Sequence, residues 1–425
     1  MGLLFLLLML VAIFFFVFSK KSGAILALAV LFPEMTGIIL NRAGLEGFNM
    51  LFRYSLYIVV FVMNIDVLKY GIKRLWGDLT SILFYAVIIT MLVLNLFIVG
   101  RARYDTDVAD FQMNVILRVF VPYVVVLLTL INRKNIMDFC KSIPVWGMMF
   151  FGVFFLLIGM GGIVIEDRMT IEEATGIGPI ELSRFSGLII IACTVFLIDS
   201  KSRLQPVYIA MILIGLFLLF LSSQRGSILG VAFSVLIVLY YFLARRGRPG
   251  TLVIALVFLV IISLILLEQF HFSFLSRFVE LEDFEESNRF FDYGFSWAAF
   301  SKNHYFWGLG SMGYYYFMDE LRSYPHNFVL EQMVEYGIVG LVFAITLLVQ
   351  GFRSSFRLFR NFNTPGAIKT IPAMWIMMLA SVLVSGSFLS NYSFMVLTAT
   401  LLSADACYKD ENEFPKTVIY KRAQL

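Results

Sequence analysis

Apolar runs recur along almost the whole chain, and polar residues fall mostly in short intervals between them. Thirteen apolar segments can be drawn, at about 2–18, 23–40, 48–66, 79–99, 112–131, 144–165, 185–199, 206–222, 227–244, 250–268, 333–350, 370–388 and 392–407. Runs of roughly 18 or more apolar residues are typical of transmembrane helices. The pattern predicts an all-α polytopic membrane protein of 12 or 13 transmembrane helices, with residues 1–425 forming a single integral membrane domain.

The distribution of basic residues predicts the orientation of these helices. The intervals on one side of the predicted bundle are short and carry about two thirds of the 33 Lys and Arg residues. Because basic residues accumulate in short cytoplasmic loops, we expect the C-terminus to be cytoplasmic. The N-terminus and the polar segment 269–327 are then extracytoplasmic.

Segment 269–327 is the longest polar stretch of the chain. Its roughly 60 residues are few for an independent catalytic domain. We therefore expect a large, partly helical extracytoplasmic loop that carries part of a site and acts together with the helices beneath it. Within this loop, the stretch that starts at Arg289 predicts an amphipathic helix.

The most informative stretch follows at Pro325-His326-Asn327. Pro325 suits the first turn of a helix, and Ser323 is placed to cap it. Apolar residues then alternate with Glu331 and Glu335, which predicts an amphipathic helix at the membrane surface.

His326 would lie at the mouth of the membrane, near the N-terminus of this helix. A helix dipole there favours a neutral imidazole, which a general base requires. Gly337 and Gly340 follow, where the chain could turn or approach another helix closely before it re-enters the membrane. The competing interpretation is an ordinary surface histidine.

Three arginines on the outer side are candidates for binding an anion. Arg225 sits in a Ser- and Gly-rich turn between two apolar segments, Arg289 starts the predicted loop helix, and Arg184 precedes an apolar run. Guanidinium groups match phosphate oxygens well. Arg225 could instead anchor the helix ends by snorkelling, and Arg289 could pair with the acidic cluster in 280–286.

Aromatic residues of the loop have two interpretations. Tyr314 and Tyr324 could contact a glycan, with Asn327 as a polar contact beside them, or the tyrosines could belong to an interfacial aromatic belt. The glycine pattern of 308–313 resembles a dinucleotide-binding turn, but no βαβ unit surrounds it. Glu34 and Arg53, both inside apolar segments, form a plausible structural pair.

Composition excludes several classes of protein. With 60% hydrophobic and 15% charged residues and a mean hydropathy of +0.87, the chain is far more apolar than a soluble domain. The net charge of +4 gives no indication of nucleic-acid binding. Cys140, Cys193 and Cys407 lie far apart, so free thiols are expected. No clustered metal-ligand pattern is visible, and we expect neither a metal nor a cofactor.

Three stretches resemble a known family: SQRGS between two apolar segments, RFFDYGFSWAAFSKNHYFWGLGSMGYYY, and PHNFVLEQMVEYGIVGL. They look like the O-antigen polymerase/ligase superfamily of bacterial envelopes, of the Wzy and WaaL types. The pattern His-Asn, nine residues, Gly-x-x-Gly is matched in full from His326 to Gly340. The resemblance covers mainly residues 184–350.

This resemblance implies a GT-C-like membrane glycosyltransferase that uses an undecaprenyl-pyrophosphate-linked glycan as donor. His326 would be catalytic, and Arg225, Arg289 and Arg184 would contact the pyrophosphate. The reaction would be a metal-independent, inverting glycosyl transfer at the outer face of the bacterial inner membrane. A chain-length regulator and a flippase are the partners that it suggests.

The sequence leaves the exact reaction open. A polymerase joins lipid-linked repeat units of O-antigen, capsule or exopolysaccharide, and this is the interpretation that we favour. A ligase would transfer the glycan to lipid A core or to protein. A polysaccharide or lipid-linked sugar transporter is a third possibility, although it would call for charges along its helices and an internal repeat.

Overall fold

A computed structural model describes residues 2–98, 106–161, 177–199, 203–222, 224–243, 289–303, 305–317, 325–361, 364–384 and 392–409. Within these ranges the chain forms helices and short turns, and no strand occurs. The predicted all-α class is therefore confirmed. In chain order the helices are α1 (Gly2–Phe18), α2 (Ser22–Leu31), α3 (Pro33–Arg42), α4 (Asn49–Met63), α5 (Leu68–Gly77), α6 (Leu79–Ile98), α7 (Thr106–Val115), α8 (Val121–Thr129), α9 (Arg133–Gly161), α10 (Pro179–Asp199), α11 (Gln205–Leu221), α12 (Arg225–Leu243), α13 (Arg289–Asn303), α14 (Gly313–Phe317), α15 (Phe328–Arg360), α16 (Thr370–Val384) and α17 (Tyr392–Lys409).

The described residues contain six helices that are long and apolar enough to cross a membrane, or up to eight spans if two bent pairs are counted. The bent pairs are α2 with α3, at 78°, and α5 with α6, at 75°. Shorter apolar helices include α1 and α11. The protein is thus a multi-pass membrane protein. The predicted segment 250–268 lies outside the described residues, so the total of 12 or 13 spans stays a prediction.

Large apolar side chains are exposed along the outer surface of the helices. Leu3, Phe14, Leu213, Phe233 and Val349 are each about half exposed or more. Exposing such a surface to water is unfavourable, whereas contact with lipid is not.

Indole N–H groups inside the bundle donate hydrogen bonds to neighbouring helices. Trp146 donates to the carbonyl of Ala24 at 2.8 Å, and Trp375 donates to Thr398 Oγ1 at 2.9 Å.

The helix ends predicted to be cytoplasmic lie together. Arg357 forms an ion pair with Asp405, which also accepts a hydrogen bond from Ser354. Arg133 Nε donates to the carbonyl of Cys407 at 3.2 Å. These contacts join the ends of α9, α15 and α17, as the alternation of basic residues requires. Which end of the bundle faces outward stays a prediction.

The helix after His326 differs from the sequence prediction at its start and on its acidic side, and it has the turn predicted at Gly337. It begins at Phe328 with Asn327 as its N-cap, so Pro325 precedes the first turn; Ser323 lies outside the described residues. Gly337 is non-helical inside it and divides α15 into a short N-terminal part and a long C-terminal part. Glu331 and Glu335 are buried rather than exposed on a polar face.

Candidate functional site

Asn327 fixes the position of His326 from two directions. Its Oδ1 accepts hydrogen bonds from the backbone N–H groups of Val329 at 2.9 Å and Leu330 at 3.2 Å, which caps the helix. Its Nδ2 donates to the carbonyl of Leu383 at 3.1 Å, near the end of α16. The half-buried His326 precedes this cap with a φ of 53°. The imidazole is therefore carried on a backbone that is tied to a neighbouring helix.

Arg184 is brought to the same end of α16. It lies on α10, is 4% exposed, and its Nε donates to Ser381 Oγ at 3.2 Å. Ser381 is two residues before Leu383, which binds Asn327. Arg184 and Asn327, the residue after His326, thus both contact the last turn of α16.

Arg225 is the first residue of α12, and the backbone that follows it also reaches the end of α16. A Cβ placed on Gly226 would lie 3.3 Å from Cβ of Val384. The next residue, Ser227, shares a hydrogen bond of 2.8 Å with Ser183, the residue before Arg184. The structure therefore brings the starts of α10 and α12 together beside the last residues of α16.

Arg289 and Tyr314 belong to a different part of the site. Arg289 starts α13, ten residues before Ala299, which corresponds to about 15 Å along a helix. Ala299 and Phe300 pack with Tyr314, Met333 and Val334 in a small core of their own. The structure thus attaches α13 to the N-terminal part of α15.

The structure describes two of the three predicted glycan contacts, Tyr314 and Asn327. Tyr314 is 0% exposed and packs in the small core described above, and its contact with a glycan stays a prediction. The bonds of Asn327 give that side chain a positioning role. Tyr324 lies outside the described residues.

The backbone of residues 305–310 packs against the kink at Gly337 and forms hydrogen bonds with it. A continuous helix would use the carbonyls of Val334 and Glu335 to bind the N–H groups four residues later. Here these carbonyls accept instead from Leu309 at 2.8 Å and Gly310 at 2.9 Å, while Ile338 N–H donates to Tyr305 O at 3.0 Å. Residues 305–310 thus replace hydrogen bonds that the kink removes from the helix.

Gly337 makes this close approach possible. Its φ of 59° is strained for residues with a Cβ, and a Cβ there would overlap the carbonyl oxygen of Phe306. The predicted turn at Gly337 is thereby explained: the chain bends where another backbone segment touches it. We call residues 305–312 the kink plug.

Glu335 adds a side-chain bond to the kink plug. Its Oε1 accepts from the backbone N–H of Met312 at 3.1 Å, and the carboxyl group is 2% exposed. Met312 has a φ of 58°. The acidic face predicted to meet water is instead covered by this segment, which precedes it by some twenty residues in sequence.

In the parts of the chain that the structure describes, no group of three or more His, Cys, Asp or Glu side chains could hold a metal ion. The described polar groups around α16 are instead hydroxyls, a guanidinium and an amide. Such groups suit an anionic or hydroxyl-rich ligand.

Residues 209–345 match the Wzy_C family model, described as O-antigen ligase. The matched residues make up about a third of the chain and are similar to this family. The resemblance to the O-antigen polymerase/ligase superfamily is thereby confirmed. No curated protein matches the chain.

The matched segment contains Arg225, Arg289 and His326 as well as the kink, but not the whole arrangement. Arg184 and the end of α16 lie outside it. Ser381 and Leu383, near the end of α16, make two of the contacts just described. Sequence reasoning missed Ser381 and Leu383 because one is a serine in an apolar helix and the other acts through its backbone. Neither carries a signal that a pattern of residue types could reveal.

Proposed function

We propose that this protein polymerises undecaprenyl-pyrophosphate-linked oligosaccharide repeat units at the outer face of the inner membrane. The observation that carries the proposal is the convergence at the end of α16. Ser381 binds Arg184, Leu383 binds the cap beside His326, and the chain after Arg225 packs on Val384. A guanidinium group and an imidazole close to one helix end suit a lipid-linked diphosphate and a nucleophilic hydroxyl.

In this proposal His326 is the general base. It takes the proton from the acceptor hydroxyl, whose oxygen attacks the anomeric carbon of the donor sugar. The bond from that carbon to the diphosphate oxygen breaks, and the diphosphate leaves with the electron pair. Attack from the opposite face inverts the configuration at this carbon. A base placed within hydrogen-bond reach contributes about 10²- to 10⁴-fold to such a reaction.

The arginines stabilise the departing diphosphate. Arg184 is held by Ser381 in a site that is mostly closed to solvent, where charge interactions are stronger than in water. Arg225, at the start of α12, and Arg289, at the start of α13, are proposed to approach the same diphosphate. Helix N-termini favour anions by themselves.

A ligase is the second candidate, because the matching family model is described as O-antigen ligase. In a ligase the same residues would act on the same class of donor. Only the acceptor hydroxyl would differ, belonging to lipid A core or to a protein. The contacts at α16 suit both reactions.

The deciding experiment uses purified protein in proteoliposomes with a lipid-pyrophosphate-linked repeat unit as the sole substrate. A ladder of lengthening products on a gel is expected for a polymerase. Transfer that occurs only after lipid A core is added would identify a ligase. No product with either acceptor would count against both, and would favour transport of the lipid-linked sugar.

A further inference from the structure

We propose that Glu335 is a positioning residue that locks the kink plug onto α15 and so sets the direction of the short helix that carries His326. The proposal deepens the proposed function and rests on it for the link to catalysis. The lock itself is a separate statement about the structure. It can be tested without any activity assay.

The backbone hydrogen bonds to α15 do not reach the last residues of the kink plug, and the contact with Glu335 lies there. The three backbone bonds involve residues 305, 309 and 310, and none of them holds Met312. The Glu335 carboxyl group reaches past them to the N–H of Met312. Met312 directly precedes α14, so this bond fixes the point where the kink plug turns back into a helix.

A second chain of polar contacts ties the kink plug to the membrane bundle. Gln112 Nε2, on α7, lies 3.2 Å from the carbonyl of Met91 and 3.2 Å from Ser311 Oγ. Ser311 Oγ in turn lies 3.5 Å from the hydroxyl of Tyr336. The kink plug is therefore connected both to α6 and α7 and to the N-terminal part of α15, where Glu335 supplies the carboxyl group at the junction.

Geometry makes the angle at Gly337 important for His326. The two residues are 11 positions apart, or about 16 Å if the spacing is helical. A tilt of about 4° at Gly337 then displaces His326 by about 1 Å, and misplacement on this scale can cost about 100-fold in rate. Asn327 holds one end of the short helix on α16. Glu335 holds the other end on the kink plug.

The test compares Glu335→Leu, which removes the acceptor at similar volume, with Glu335→Gln, which keeps an acceptor oxygen. Hydrogen exchange of the backbone amides in 309–312 reports the lock directly. We expect exchange at least tenfold faster in Glu335→Leu and near wild-type exchange in Glu335→Gln. If Glu335→Leu does not insert into the membrane, Glu335→Asp, whose side chain is one methylene shorter, is measured in its place.

Kinetics on the same proteins separate positioning from chemistry. We expect Glu335→Leu to lower kcat about tenfold or more with little change in KM for the lipid-linked donor, and Glu335→Gln to restore kcat. Gly294→Ala in α13, where an added Cβ would meet nothing within 4 Å, is the control and should resemble wild type.

Each result decides the proposal. Unchanged exchange in Glu335→Leu would overturn the lock, whatever the activity. If Glu335→Gln stayed protected but lost all turnover, the carboxylate would act in proton transfer and the positioning role would be wrong. If wild-type protein formed no product, the exchange result would still test the lock, while the proposed function would fail separately.

Discussion

The side-chain amide of Asn327 donates a hydrogen bond of 3.1 Å to the backbone carbonyl of Leu383. This bond joins the residue after His326 to the end of α16, where Ser381 binds Arg184. It connects the proposed base with a proposed diphosphate contact through a single helix turn. The relative positions of the two groups therefore depend on one amide.

Replacing Asn327 should separate its two roles. Asn327→Ser keeps a capping oxygen but loses the donor to Leu383, whereas Asn327→Ala loses both. We expect the Ala variant to be about 1 kcal/mol less stable than the Ser variant. Turnover should fall at least tenfold in both variants. Thermal unfolding in detergent and initial rates measure the two effects, and wild-type turnover in Asn327→Ser would contradict the positioning role.

Arg184 should matter for binding of the diphosphate more than for folding of the bundle. Arg184→Lys keeps the positive charge but loses the planar fork that binds two oxygens. We expect a rise in KM for the lipid-linked donor, and a loss of about 10- to 100-fold in kcat/KM for Arg184→Ala, as for one charged hydrogen bond. Ser381→Ala, which removes only the partner hydroxyl, is the control and should have a smaller effect. Equal KM and equal kcat/KM values in all four proteins would exclude a diphosphate contact.

Gly337 should tolerate no side chain. Gly337→Ala forces a Cβ into the Phe306 carbonyl at a positive φ, so we expect a marked fall in folded protein and in the melting temperature. The control is Gly294→Ala in α13, where a Cβ would meet nothing within 4 Å. Fluorescence size-exclusion chromatography of both variants measures the difference. Equal yields and melting temperatures would show that the kink does not need glycine.

The orientation of the bundle can be tested with new cysteines, because all three native cysteines are buried. Phe306 and Phe356 are 65% and 56% exposed and lie towards opposite ends of α15. We expect a membrane-impermeant maleimide to label Phe306→Cys in intact spheroplasts. Phe356→Cys should react only after permeabilisation. The reverse pattern would invert the predicted topology.

The sequence predicts the helical class and the importance of His326, Gly337 and Gly340, because hydropathy and glycine spacing are local signals. It places Glu331 and Glu335 wrongly on an exposed face. The cover over Glu335 comes from residues 305–312, and periodicity within one helix says nothing of a partner that lies earlier in the chain. The capping residue was likewise predicted one turn too early. Both Ser323 and Asn327 are good caps by residue type. The structure has Asn327 as the cap, and its amide also binds Leu383.

The central claim is that His326 acts as the base in transfer from a lipid diphosphate. The most direct measurement compares wild type with His326→Ala in proteoliposomes that contain only the lipid-pyrophosphate-linked repeat unit. Protein amount and melting temperature are matched before the assay. We expect wild type to form a ladder of products and His326→Ala to form none. A full ladder from His326→Ala at equal protein level would contradict the account.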